Sequence, residues 1–182
     1  MPRYAAFLRA VNVGGRVVPM AELRRLFTGL GLEDVETFIA SGNVVFTSRA
    51  RPAALAPRIE RTLADVLGYA VPTMLRTGAE VTAIAAHLPF DAKRRALAHS
   101  IHVGLLAEPL SSAARKALAD LESPTDAFEV NGREIWWMPR AGVGQSRITN
   151  VMLERRLGAP VTFRNVNTMV RMAERFFSAG TA

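Results

Sequence analysis

Two hydrophobic periods alternate along the chain. Tyr4 to Arg9 is almost unbroken apolar sequence and predicts a short strand. The segment Asn12-Val13-Gly14-Gly15-Arg16 predicts a loop, because paired glycines free the backbone. Pro19 then suits the first turn of a helix, with Met20, Leu23, Leu26, Phe27 and Leu30 at helical spacing and Gly31 as its stop. Val35 to Ala40 and Val44 to Ser48 predict two strands around Ser41-Gly42-Asn43. Leu55, Ile59, Leu63, Val66 and Leu67 mark a second helix ending at Gly68. Val71 to Arg76 is a further strand, and Val81, Ile84, Ala85 and Leu88 form a third helix stopped before Pro89.

The pattern then restarts. Ile101, Val103 and Leu105 predict a strand; Ser111 caps a helix carrying Ala114, Leu118 and Leu121. Phe128 to Val130 and Glu134 to Met138 flank Asn131-Gly132, a strong hairpin signal. Helices follow Ser146 and Asn165, the last with an apolar face of Val166, Met169, Val170, Ala173, Phe176 and Phe177. Strand, helix, two-strand hairpin and helix therefore occur twice in the same order, which is most of a ferredoxin-like split unit. The expectation is an α+β protein of two ferredoxin-like halves packed together. The N-terminal half covers 1–88. A joint at 89–99 carries Pro89 and the charges Asp91, Lys93, Arg94 and Arg95. The C-terminal half covers 100–182 with an additional C-terminal helix.

Composition narrows the class. A chain of 182 residues, 49% hydrophobic, builds a real core and is not disordered. Without cysteine it has neither disulfides nor thiolate zinc sites. Arg3 and Arg9 bracket only five uncharged residues, too short a core for a signal peptide, and no apolar run approaches a membrane span. A soluble cytoplasmic protein with no membrane partner is expected. The net charge of +7 points to an anionic partner, either nucleic acid or a phosphorylated small molecule. However, all but two of the 23 basic residues are arginine, spread without long runs, as a GC-rich genome would also produce.

Candidate chemistry concentrates in three stretches. Gly142-Val143-Gly144-Gln145-Ser146-Arg147-Ile148-Thr149-Asn150 and Thr162-Phe163-Arg164-Asn165-Val166-Asn167-Thr168 each set an arginine, amides and hydroxyls ahead of a helical pattern. A helix N-terminus exposes N–H groups and partial positive charge, so these are candidate anion sites. The first lacks the Gly-Lys-Ser/Thr ending of a P-loop. The third stretch is Arg9 with the loop at Asn12 to Arg16. The candidate ligand set is Arg9, Asn12, Gly14, Gly15, Arg16, Ser146, Arg147, Thr149, Asn150, Arg164, Asn165, Asn167 and Thr168, expected to share one positively polarised pocket. The plain alternative is that they cap helices and tie the chain together.

Other groups point to structure. His99 and His102, three apart on one strand, face opposite sides and cannot share a metal; no metal or cofactor is expected. Glu22, Glu60, Glu80, Glu154 and Glu174 read as solvated helix faces. Trp136 and Trp137 are adjacent on a strand, so one is expected in the core and the other at the surface. Leu153 to Met172 also admits a helix-turn-helix reading, against which Pro160 to Phe163 looks extended.

Together, Leu8-Arg9-Ala10-Val11-Asn12-Val13-Gly14-Gly15, Met20-Ala21-Glu22-Leu23, Phe38 to Phe46 and the tail Ser146 to Asn150, Leu153-Glu154, Leu157-Gly158, Thr162 and Arg164 to Thr168 resemble the bacterial family labelled domain of unknown function 1697. Measured against that pattern, Ala10 stands where glycine is usual, Phe38 replaces tyrosine, Arg147 replaces lysine and Val166 stands for tryptophan. The resemblance implies an α/β or α+β fold and bacterial origin, and it supplies no reaction. The functional expectation is a binding module, with enzymatic activity as a further option, for a small anionic ligand such as a nucleotide or phosphorylated metabolite. The competing expectations are nucleic-acid binding by distributed arginines and a purely structural role for the polar motifs.

Overall fold

The computed structural model describes residues 1–178 apart from positions 13, 14 and 16. The chain divides into two compact units: Met1–Ala85 with Val170–Ala182, and Ala86–Met169.

The first unit runs β1 (Arg3–Leu8), α1 (Met20–Gly29), β2 (Glu33–Thr37), β3 (Asn43–Thr47), α2 (Pro52–Leu67), β4 (Thr73–Thr77) and α3 (Gly78–Ala86). Its four strands form an antiparallel sheet in the order β2-β3-β1-β4. Alternation along the strands sends Tyr4, Ala6, Leu8, Val44, Phe46 and Leu75 to one face, where Leu23, Leu26 and Phe27 of α1 and Leu55, Ile59 and Leu63 of α2 close over them. The opposite face is buried as well: Ala5, Phe7, Val45 and Met74 are all covered. Burial on both faces is why β1 is apolar throughout rather than alternating.

In the second unit, α4 (Ala92–Ala96) precedes β5 (His102–Leu105), α5 (Ser112–Ala119), β6 (Asp126–Asn131), β7 (Glu134–Pro139), α6 (Asn150–Leu157), β8 (Thr162–Asn165) and the start of α7 (Val166–Phe176). The strand order, β6-β7-β5-β8, repeats that of the first unit. Each unit is thus a complete ferredoxin-like βαββαβ arrangement, and the two-halves expectation holds. The fourth strand, β8, also disposes of the helix-turn-helix reading, because the chain leaves α6 at Gly158 and enters a sheet before the next helix.

Gly104 lies in the middle of β5. A Cβ there would stand 2.6 Å from Cε1 and 2.7 Å from Cζ of Phe163. The missing side chain lets the Phe163 ring on β8 lie across β5 and meet Trp137 edge-on, at 5.6 Å between centroids. Both tryptophans are buried, Trp136 at 1% and Trp137 at 3% exposure, so the expected surface tryptophan does not exist. They do point to opposite faces: Trp137 joins the helix-side core with Ile135, Leu153 and Leu157, while Trp136 meets the His87 ring at a tilt, 4.7 Å between centroids.

Several boundaries move. β2 ends at Thr37 and not at Ala40, because Ile39 takes a left-handed φ of 51°. His99 precedes β5 rather than lying on it. Leu88 lies beyond the end of α3. Three of the five glutamates expected on solvated faces hold backbone. Glu60 accepts from Thr73 N at 2.7 Å, and Glu154 from Val161 N at 2.9 Å. Glu80 and Thr77 form a reciprocal capping box at the start of α3.

Candidate functional site

In the first unit the motif stretches knit to one another. Asn12 has a φ of 58°, which asparagine tolerates better than most residues. Its Nδ2 donates to Ala40 O at 2.8 Å, and its Oδ1 accepts from Val18 N at 2.6 Å. Asn43, fully buried, donates from Nδ2 to Phe38 O and Ser41 Oγ. Gly42 needs its φ of 73°, and a Cβ there would press on Cβ of both Leu8 and Val11 at 3.2 Å. Arg9, at the end of β1, donates its backbone N–H to Pro72 O at 2.9 Å. Gly15 is exposed with a φ of 82°. Gly14 and Arg16 lie outside the described residues. Ala10 has a φ of 59°, which explains the glycine usual at this place in the resembling family.

In the second unit, register places Ser146 and the start of α7 at one end of the sheet. The row Phe128–Trp137–His102–Asn165 crosses all four strands, and directly opposed residues share a face. Beyond that row lie Asp126, paired with Pro139, and Val166, whose N–H donates to Ile101 O at 3.0 Å. Ser146 is bonded to Asp126, so Ser146 and the start of α7 stand at the same end, whereas Asn150, bonded to Val161 O, reaches the entry of β8 at the other end. Three strand spacings separate β6 from β8, about 14 Å.

Most polar groups there are already engaged. Asp126, 4% exposed, accepts from Trp137 Nε1 at 2.9 Å and Ser146 Oγ at 2.7 Å on one carboxylate oxygen, and from Thr125 Oγ1 at 2.9 Å on the other. Ser146 Oγ also accepts from Ile148 N, which fixes the turn before α6. Thr149 is the N-cap of α6, accepting from Met152 N at 3.2 Å. Asn150 Nδ2 donates to Val161 O at 3.2 Å. With Glu154 one turn later on Val161 N, α6 holds both polar backbone groups of Val161. Asn165 Oδ1 accepts from Asn167 N at 2.9 Å.

Arg164 points to the other face. It is buried, and its guanidinium donates to Thr162 Oγ1 and Phe163 O, each at 2.8 Å. Burial pulls its pKa down to about 10, which leaves it protonated at neutral pH. A matching arginine, Arg76 on β4, was not foreseen: it is fully buried and donates to its own preceding carbonyl, Leu75 O, at 2.8 Å. Each occupies the same row of its own sheet, Glu36–Val45–Ala5–Arg76 and Glu129–Trp136–Val103–Arg164.

The side chains of Arg147, exposed, Asn167, exposed, and Thr168, half-buried, make no hydrogen bond among the described residues. Beside them His102 is half-buried, its Nε2 2.9 Å from Ser100 Oγ. Desolvation holds its pKa below the usual histidine range, so it is neutral at pH 7. Among the described residues no three His, Cys, Asp or Glu side chains are grouped to hold a metal. Nor is any described helix long and apolar enough to cross a membrane.

This arrangement can be set beside known proteins. The model of the family described as "Protein of unknown function (DUF1697)" matches residues 1–136. The chain belongs to that family. The DUF1697 match ends at Trp136, before the tail motif, while structural likeness extends further. The conserved bacterial protein SP0830 from Streptococcus pneumoniae is similar over 96% of this chain and 97% of its own, at 28% identity and a TM-score of 0.75. No protein with a curated description matches in sequence. For this DUF1697 member the comparisons therefore fix family and fold without naming a ligand.

Proposed function

We propose that the chain is a binding module for a small anionic ligand of nucleotide size, held in the second unit by Arg147, Asn167, Thr168 and the start of α7. One observation carries this reading. At the end of the sheet that Ser146 shares with the start of α7, these three side chains have no hydrogen-bond partner among the described residues, whereas Ser146, Thr149 and Asn150 are committed to the fold. Arg147 supplies a charge-assisted contact and the α7 N-terminus a second positive pole. The separation of about 14 Å across the strands exceeds what one inorganic phosphate bridges, which favours a longer anion.

A thermal-shift screen of nucleotides and phosphorylated metabolites tests it. A ligand at about 100 times its Kd stabilises by about 2.7 kcal/mol. R147A and N167A are expected to lose that shift while leaving the unliganded Tm unchanged, because neither side chain holds the fold. No stabilisation by any anion at millimolar concentration refutes the proposal. A second reading, acid–base chemistry on the bound ligand, rests on neutral His102 opposite Asn165. It requires turnover that H102Q abolishes while binding persists.

A further inference from the structure

We infer that the helical face of the second unit contacts the phosphate backbone of duplex nucleic acid without reading its sequence. β5 and β7 are antiparallel, as are β5 and β8, so α5 and α6 run in opposite directions across the sheet, and they pack against each other. The middle of α5 therefore lies beside the later turns of α6. Arg115 and Lys116 stand in the first place, Arg155 and Arg156 in the second, and all four are exposed. Arg115 Nε donates to Leu110 O, leaving its two terminal nitrogens to solvent among the described contacts. The side chains of Lys116, Arg155 and Arg156 have no polar partner among the described residues. The nearby carboxylate of Glu154 is engaged at Val161 N.

The first unit supplies an internal control. The same corner of the same topology, the middle of α1 with the later turns of α2, mixes Arg24, Arg25 and Arg61 with Glu22 and Asp65, and Glu22 bridges Arg25 at 2.6 Å. A genome-wide arginine bias would load both corners alike; here the first sets two carboxylates against three cations, and the second sets Asp120 and the engaged Glu154 against four. Like charges on adjacent helices repel, and a polyanion removes that repulsion. Neither α5 nor α6 contains an aromatic residue, so this face has nothing on which to stack unpaired bases, and a duplex fits better than a single strand.

Fluorescence anisotropy with a labelled DNA duplex of about 20 base pairs tests the inference between about 50 and 200 mM salt. Four phosphate contacts predict a log–log salt slope of about −3.6. R155E/R156E is expected to weaken duplex binding at least about tenfold at low salt and to flatten the slope by about two contacts. R24E/R61E changes neither, and circular dichroism verifies that both variants are folded. Absence of duplex binding at low salt, an equal loss from R24E/R61E, tighter binding of a single strand, or tighter binding of phosphatidylglycerol vesicles at equal phosphate would each overturn it.

Discussion

Replacing Asp126 separates a buried acceptor from a buried charge. In the folded chain its carboxylate satisfies Trp137 Nε1, Ser146 Oγ and Thr125 Oγ1 at 4% exposure. Asp126→Ala removes the acceptor of all three donors. Thr125 is exposed and turns to water, but the Trp137 N–H is sealed in the core, and Ser146 loses the bond that orients its turn. A hydrogen bond to a charged group contributes about 1.5–3 kcal/mol, and a stranded buried donor costs about 1–3 kcal/mol. The expected destabilisation is about 3–4 kcal/mol. Asp126→Asn keeps Oδ1 for Trp137 and Ser146, and its Nδ2 meets a Thr125 hydroxyl that can rotate to accept. Only charge assistance is lost, about half of each bond, giving about 1–1.5 kcal/mol. Both tryptophans lie in the second unit, so urea unfolding followed by their fluorescence reads the relevant part of the chain. At about 2–4 °C per kcal/mol, the alanine variant melts about 10 °C below the wild type and the asparagine variant about 3–4 °C below. Equal losses for the two variants, or less than 1 kcal/mol for alanine, would refute the assignment of Asp126 as the acceptor that fastens β6, β7 and the loop before α6.

Two further outcomes follow from the geometry. Ala10→Gly is expected to stabilise by about 0.5–1 kcal/mol, because relief of a left-handed alanine exceeds the additional chain entropy of glycine; a lower urea midpoint contradicts this. His102 carries a pH dependence. Burial sets its folded pKa below 6.5, so between the two values the unfolded chain binds more protons. Stability therefore falls as pH drops through that window and levels off below the folded value. Urea midpoints at pH 7 and pH 5 should converge in H102Q relative to wild type.

Every strand but β8, and both hairpins, were legible because short apolar runs and Asn131-Gly132 carry their own local cause. The site was legible only in part. Arg164, Asn165 and Ser146 stood out as polar residues near helix starts, but their engagements depend on partners far along the chain. Asp126 is the clearest miss. In Ser123-Pro124-Thr125-Asp126 it reads as turn chemistry, while two of its donors come from residues 11 and 20 positions later. The glutamates misled for the opposite reason: helical spacing marks an outward face without showing that a neighbouring backbone amide reaches back to it, as with Glu154 and Val161. β8 was hard to see because it is four residues long and contains a buried arginine. Ser146 and the start of α7 reach the same end of the sheet only because β5 and β8 pair in the register that sets His102 against Asn165.

The absent side chain at Gly104 also determines how β8 may align. Phe163 fills that vacancy, and Arg164 must then face the other way. Sliding the strand by a single position would drive a guanidinium among Ile135, Trp137 and Val161 and leave the phenyl ring without its slot. Only one alignment of the strand survives, and the starting residue of the terminal helix is thereby fixed.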